Sequence, residues 1–376
     1  STGGGVRKRF SWREGNNVEL LVDGENYFPP MLEALHRARH SALLEFYLVA
    51  SGDVASRFIE AMLAAVRRGV MVKLIIDGFG GYKLNEADRS RLQRGGVELV
   101  VYNPLQLVKW TRNFARNHRK LMVVDQQVAF IGGTGLSDHY WQSSQPGAPW
   151  HDVMARVEGP VVQDLLSLYN ALWERCTSRR LPPGAPEGPR GPCAMRVATA
   201  HGMYQQEIKA SFLNRVNRAQ GQVWLMTAYF MPSFSLRMAL RRAARRGVDV
   251  RLIIAGPHTD QPWVFHASKR YYRRLLKAGV RIYEYQPRFL HAKMAVVDGW
   301  SSLGSCNLDH WNLRWNLEAN IEVEDTDFVA QVDFVLQQDM LQCLEVCWEQ
   351  WSRRPWYRKL REFVWAWISQ LVLKIR

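Results

Sequence analysis

A chain of 376 residues with 47% apolar side chains is long enough for two ordinary domains, and its composition excludes a disordered protein. The formal charge of +15 favours a polyanionic partner, nucleic acid or an anionic membrane, with solubility alone as the plain alternative. Five cysteines, an odd count at spacings that fit no zinc pattern, suit a reducing compartment.

In chain order, the opening Ser-Thr-Gly-Gly-Gly reads as unstructured, and residues 1–9 are expected to be disordered. An α/β domain is expected over 10–177. It carries a helix, "RFIEAMLAAVRRG", closed by a glycine, and then "VMVKLIIDG", an apolar run suited to a buried parallel strand. "GGVELVVYNP" follows as another strand. Next come "LQLVKWTRNFARN", which mixes Leu, Trp and Phe with Lys and Arg, and "HRKLMVVDQQVAFIGG". Residues 178–193, "SRRLPPGAPEGPRGPC", read as a Pro/Gly linker. A second domain over 194–352 repeats the order: "LRMALRRAARRG", "VDVRLIIAG", "AGVRIYEYQP" and "HAKMAVVDGWSSLGSCN". The repeat means a duplicated domain in which strands and helices alternate. The first copy has about ten extra residues before His118, suited either to a lip facing membrane or substrate or to an ordinary surface loop.

His118 and Lys120, like His291 and Lys293, are two residues apart, so on a strand each pair shares one face. Cations spent on inward positions need an anion to receive. A pseudo-twofold would bring both pairs together between the domains, a constellation suited to phosphoryl transfer. Two lysines neutralise the non-bridging oxygens, one imidazole attacks phosphorus, and the other moves the proton. Asp152 and Glu318 are candidates to hold the second ring nitrogen, each expected beside the histidine of its own half. Asp125 and Asp298 end the apolar runs and also suit turn capping. No metal-ligand cluster is apparent, and no cofactor or metal is expected.

The two copies of His-x-Lys-x4-Asp with a Gly-Gly or Gly-Ser turn resemble the phospholipase D superfamily. Within it, "RNHRKLMVVD", "LHAKMAVVDG", "GSCNLD" and "NLEANIEV" resemble bacterial cardiolipin synthases of the short B type. The resemblance implies two tandem α/β/α sandwich domains related by a pseudo-twofold, with the active site at their interface. It implies catalytic roles for His118, Lys120, Asp125, His291, Lys293 and Asp298, with His118 as nucleophile and His291 as acid/base. Lys120, Lys293 and Asn307 would hold the phosphate. The reaction would pass a phosphatidyl group from phosphatidylglycerol or phosphatidylethanolamine, through a phosphatidyl-histidine, to a phosphatidylglycerol hydroxyl. Two departures stand out. Gly135 takes the place of the family's usual Asn, a loss worth about 3 kcal/mol of barrier unless Thr134 or a water substitutes. The second motif is one residue shorter between Asp298 and Gly304, which tightens a hairpin or shifts Asn307.

Residues 353–376 read as an amphipathic helix, with Leu360, Phe363, Val364, Trp367, Ile368, Leu371 and Ile375 on one face. Trp300, Trp311 and Trp315 suit a headgroup interface or core packing. With no secretory signal and no run of eighteen apolar residues, contact with an anionic membrane is expected to be peripheral, on the cytoplasmic face of a bacterial membrane. No nucleic-acid partner is expected. The alternatives are a hydrolytic phospholipase D, a nucleic-acid phosphodiesterase, and a weakly active membrane-bound scaffold.

Overall fold

The structure is a computed structural model that describes residues 9–108, 110–141, 147–185, 187–202, 205–309 and 315–375. Residues 1–8, Trp311 and the side chains of Lys374 and Ile375 lie outside the described residues.

The first half runs β1 (Arg13–Val22), α1 (Gly24–Arg37), β2 (Ser41–Phe46), α2 (Asp53–Arg67), β3 (Met71–Asp77), α3 (Glu86–Arg94), β4 (Glu98–Tyr102), β5 (Leu121–Val124), β6 (Val128–Gly132), β7 (Val153–Glu158) and α4 (Val162–Thr177). The second half follows as β8 (Cys193–His201), β9 (Gln205–Gln206), α5 (Glu207–Arg218), β10 (Gln222–Thr227), α6 (Phe234–Arg245), β11 (Asp249–Ala255), α7 (Pro262–Ser268), α8 (Tyr272–Ala278), β12 (Arg281–Tyr285), β13 (Met294–Val297), β14 (Trp300–Gly304), β15 (Leu317–Glu324) and α9 (Thr326–Met340). It closes with β16 (Cys343–Glu345), α10 (Trp348–Ser352) and α11 (Trp356–Ile375).

The apolar runs behave as buried strands must. β2, β3 and β4 are parallel neighbours, as are β10, β11 and β12. Gly69 and Gly247, at φ 88° and 91°, stop α2 and α6 where a side chain would be strained. Each half builds the same seven-strand order. β4-β3-β2-β5-β6-β7-β1 in the first half is repeated as β12-β11-β10-β13-β14-β15-β8 in the second. The two sheets join edge to edge through antiparallel β1 and β8, where Arg13 faces Met195.

One outer layer, with α1 and α2, packs on the first half, and another, with α5, α6 and α8, packs on the second. The opposite face carries α4 and α9 over a single core that runs through both halves. The halves thus share a hydrophobic core as well as an edge.

Several expectations change. Trp300 is buried in the core of the second half and donates from Nε1 to Glu322 Oε1 at 3.0 Å, so it is no headgroup anchor. Trp315 is 46% exposed and lies 5.9 Å, ring to ring, from Phe114 of the extra loop. The shorter second motif is absorbed in the hairpin. Asp125, Gln126 and Gln127 link β5 to β6, whereas only Asp298 and Gly299 link β13 to β14, and the strands keep their register.

Candidate active site

His118 and His291 stand just ahead of β5 and β13 rather than inside them. The reason is a ladder that leaves the hairpin and crosses to the other half. His118 N donates to Leu317 O at 2.9 Å, and Leu317 N to Arg116 O at 2.9 Å. Half for half, His151 N donates to Phe289 O and His291 N to His151 O, both at 2.8 Å. The motif backbones are thereby stitched across the pseudo-twofold.

This crossing overturns the pairing expected for the carboxylates. Asp152 Oδ2 lies 2.5 Å from Nδ1 of His291, and Glu318 Oε1 lies 3.6 Å from Nδ1 of His118. Each carboxylate serves the histidine of the opposite half. Gly133 makes room for Asp152, since a Cβ there would stand 2.3 Å from its Oδ1. The counterpart of Gly133 is Ser305, whose hydroxyl donates to Glu318 Oε2.

Asp125 and Asp298 do not reach the histidines. Asp125 accepts from the backbone N–H of His40 at 2.7 Å and of Ser41 at 3.1 Å, at the start of β2. Asp298 accepts from Gly221 and Gln222, both at 2.9 Å, at the start of β10. Both bind hairpin ends to the neighbouring strand, because the carboxylate satisfies N–H groups at the strand start. Their assignment as catalytic groups is corrected to turn anchors.

Lys293 Nζ lies 3.2 Å from both ring nitrogens of His291, over the ring. Tyr47 packs on His118 with centroids 4.1 Å apart, and Lys120 Nζ sits 5.8 Å from the Tyr47 ring. Tyr140, Trp150 and Phe289 surround His291 at 5.5–5.6 Å. Asn307 Oδ1 accepts from Thr227 Oγ1 and Tyr229 N, both at 3.3 Å. Gly135, three residues after Gly132 as Asn307 is after Gly304, has Leu48 O only 2.7 Å from where its Cβ would be. The first half closes this position with backbone.

The charges are those of a site awaiting an anion. Burial, then Lys120, lowers Lys293 to about 7, and burial lowers Lys120 as well. Burial, then Lys293, lowers His291 to about 4 against the pull of Asp152. Burial, then the two lysines, holds His118 well below its ordinary value. The carboxylates part company. Burial raises Glu318 to about 7 despite Lys120, whereas His291 and Lys293 overcome burial and hold Asp152 below its usual range.

Two buried networks behind the site gave no local sequence signal. Glu45 of β2 takes Arg119 with both oxygens, at 2.5 and 3.0 Å, and Asn117 Nδ2 at 2.9 Å. On the other side His151 is clamped between Asp23 Oδ1 at 2.7 Å and Asp339 Oδ2 at 2.8 Å, while Arg288 donates to Asp23 Oδ2 at 2.7 Å. Burial opposes charge on His151, but the two carboxylates win and raise it to about 9.

Two His-Lys pairs, brought from the halves of a duplicated α/β fold and cross-held by carboxylates, define a phosphoryl-handling centre of the phospholipase D kind. Residues 31–173 and 212–340 match the family described as cardiolipin synthase, phospholipase D-like domain, and the chain belongs to that family. It is thus an enzyme of the phospholipase D superfamily. It is 36% identical over 335 residues to cardiolipin synthase B of Escherichia coli (strain K12), spanning 85% of this chain and 79% of that one. It is 31% identical over 367 residues to the cardiolipin synthase of Geobacillus kaustophilus (strain HTA426), covering 95% of this chain and 72% of that one. The fold is similar to the crystal structure of phosphatidylserine synthase from Haemophilus influenzae Rd KW20, with a TM-score of 0.73 at 14% identity over 98% of both chains.

Proposed function

We propose that the protein is a phosphatidyltransferase that makes cardiolipin, with a phosphatidylglycerol hydroxyl as acceptor and phosphatidylglycerol or phosphatidylethanolamine as donor. The carrying observation is the cross-half pairing of His291 with Asp152 at 2.5 Å and of His118 with Glu318 at 3.6 Å, with Lys293 on the His291 ring and the charges of both lysines acting on His118. The cardiolipin synthases to which the chain is similar support the substrate class.

His118 is the nucleophile. Its partner Glu318, pushed up to about 7, stabilises an imidazolium weakly, so His118 stays neutral with Nε2 free to attack. The resulting P–N bond replaces the P–O bond to the donor's head alcohol. The anionic phosphate offsets the Lys293 charge that, after burial, helps to hold His291 at about 4, so His291, backed by ionised Asp152, takes up the proton that it then gives to the leaving oxygen. The acceptor hydroxyl then loses its proton to His291, forms a P–O bond, and breaks the P–N bond. The two lysines and Asn307 carry the charge on the non-bridging oxygens. Turnover is expected to persist in excess chelator.

The reading sets the enzyme on a membrane surface as a peripheral protein, on the cytoplasmic face. Support comes from α11, where Leu360, Phe363, Val364 and Trp367 are exposed, and from Leu107 and Val108 of the extra loop, which are 95% and 94% exposed. No helix among the described residues is long and apolar enough to cross a membrane.

The test is incubation with labelled phosphatidylglycerol and phosphatidylethanolamine, with and without glycerol, and resolution of the products. Cardiolipin is the expected product. Phosphatidic acid alone would make the enzyme a hydrolase, and inertness on lipid with cleavage of DNA would make it a nuclease.

A further inference from the structure

A cavity of 520 Å³ lies behind the motif strand of the first half, between α4, β8 and the segment Arg9–Arg13. It is separate from the catalytic centre, yet it shares that centre's walls. Arg119, which lines it, stands between His118 and Lys120, and Leu317, also in its wall, precedes Glu318. Side chains alternate along extended backbone, so these two face away from the histidines.

The pseudo-twofold shows what is unusual here. The bridge between Asn117 and Leu317 recurs, half for half, as the bridge between His151 and Leu290, so Leu317 occupies the place of His151. On the His151 side the fold fills this position with its own closed network, in which Asp23 and Asp339 balance His151 and Arg288. On the Leu317 side it leaves an open volume lined by Arg9, Arg13, Arg119 and Arg175, with Asp164 as the acid in the wall. Arg13 is paired with Asp164, and Arg119 with Glu45. Arg9 and Arg175 have no carboxylate partner among the described residues, and Arg175 Nη1 donates to Nε2 of His201 at 3.0 Å. Phe10, Leu168 and Leu172 supply an apolar wall beside these guanidinium groups.

We infer that this cavity binds an anionic amphiphile, with its phosphate on Arg9 and Arg175 and its apolar body along Phe10, Leu168 and Leu172. The volume lies in the range of ligand pockets, and arginine forks suit phosphate oxygens. The site stands independently of the transfer reaction. Because its wall carries Arg119 and Leu317, its occupant touches the backbone that positions His118 and Glu318.

The test uses the full chain carrying His118→Ala, so that no ligand is consumed, titrated calorimetrically with dihexanoyl phosphatidic acid below its micelle concentration. Two saturable sites are expected. Lys120→Met with Lys293→Met should remove one. Arg9→Ala with Arg175→Ala should weaken the other at least about tenfold. Leu168→Trp, which fills the wall without removing a charge, should abolish that second site while cooperative unfolding is retained. Lipid held against an equal concentration of inorganic phosphate supports the amphiphile, whereas displacement by that phosphate overturns it in favour of free phosphate. A single site lost with the lysines overturns the proposal. So does a second site indifferent to both the arginine and the tryptophan changes, or equal binding of dihexanoyl phosphatidylcholine.

Discussion

At the scale of residues, the catalytic centre is a cationic cluster held out of water, and its titration is the most direct handle on it. Lys293, lowered to about 7 by burial and then by Lys120, is mostly neutral at pH 8. A bound phosphate favours the charged ammonium, so binding should take up protons at that pH. Calorimetry of inorganic phosphate binding at pH 8, in buffers of different ionisation enthalpy, should register an uptake that vanishes in Lys293→Met. His118→Ala and His291→Ala should each lower turnover at least about a thousandfold, since groups acting as one unit are not additive. If each variant kept half the activity, the halves would be independent sites. Gly135→Asn, which copies Asn307 of the second half, should not help. Its Cβ would lie 2.7 Å from Leu48 O, so the variant should lose about 1–3 kcal/mol in denaturant unfolding with no gain in turnover.

At the scale of elements, α11 is docked by one side and bare on the other. Glu362 and Ala366 are buried, Glu362 is paired with Arg354, and Trp365 stacks 6.2 Å from His266 of α7. The apolar stripe lies on the other side, with Phe363 68% and Trp367 58% exposed. Phe363→Lys with Trp367→Lys should therefore reduce sedimentation with phosphatidylglycerol vesicles several-fold while Tm stays within about 2 °C, because exposed substitutions cost little stability. Unchanged sedimentation would remove α11 from the membrane contact.

At the scale of the whole molecule, the halves are joined by a shared core, the β1–β8 edge and the clamp of His151 between Asp23 and Asp339. The clamp needs the imidazolium, whose folded pKa of about 9 lies above the ordinary 6.5. A raised pKa means stability fully present below about 6.5 and lost as pH rises through about 9, a contribution on the order of 3 kcal/mol. His151→Leu, which copies the residue in the other half, should be less stable at pH 6.5 and should lose this alkaline slope. Chemical unfolding at a series of pH values checks both.

The duplication, the parallel strands and the four motif residues His118, Lys120, His291 and Lys293 could all be read along the chain, because periodicity and repeated spacing are local properties. The stripe on α11 was legible for the same reason. Which partner each group meets was not. Asp152 lies nearer in sequence to His118 and Glu318 to His291, yet the crossing ladders deliver each to the opposite half. Asp125 and Asp298 carry the motif's spacing, but hairpin geometry turns them to backbone N–H groups. The clamp joins Asp23, His151, Arg288 and Asp339, and the cavity faces Arg9, Arg119 and Arg175; each set is scattered along the chain and meets only once the two sheets share an edge. Sequence specifies which elements form through short-range pattern. Only the closure of one half on the other decides which buried charges compensate one another, since that depends on distances and desolvation that exist in the folded molecule alone.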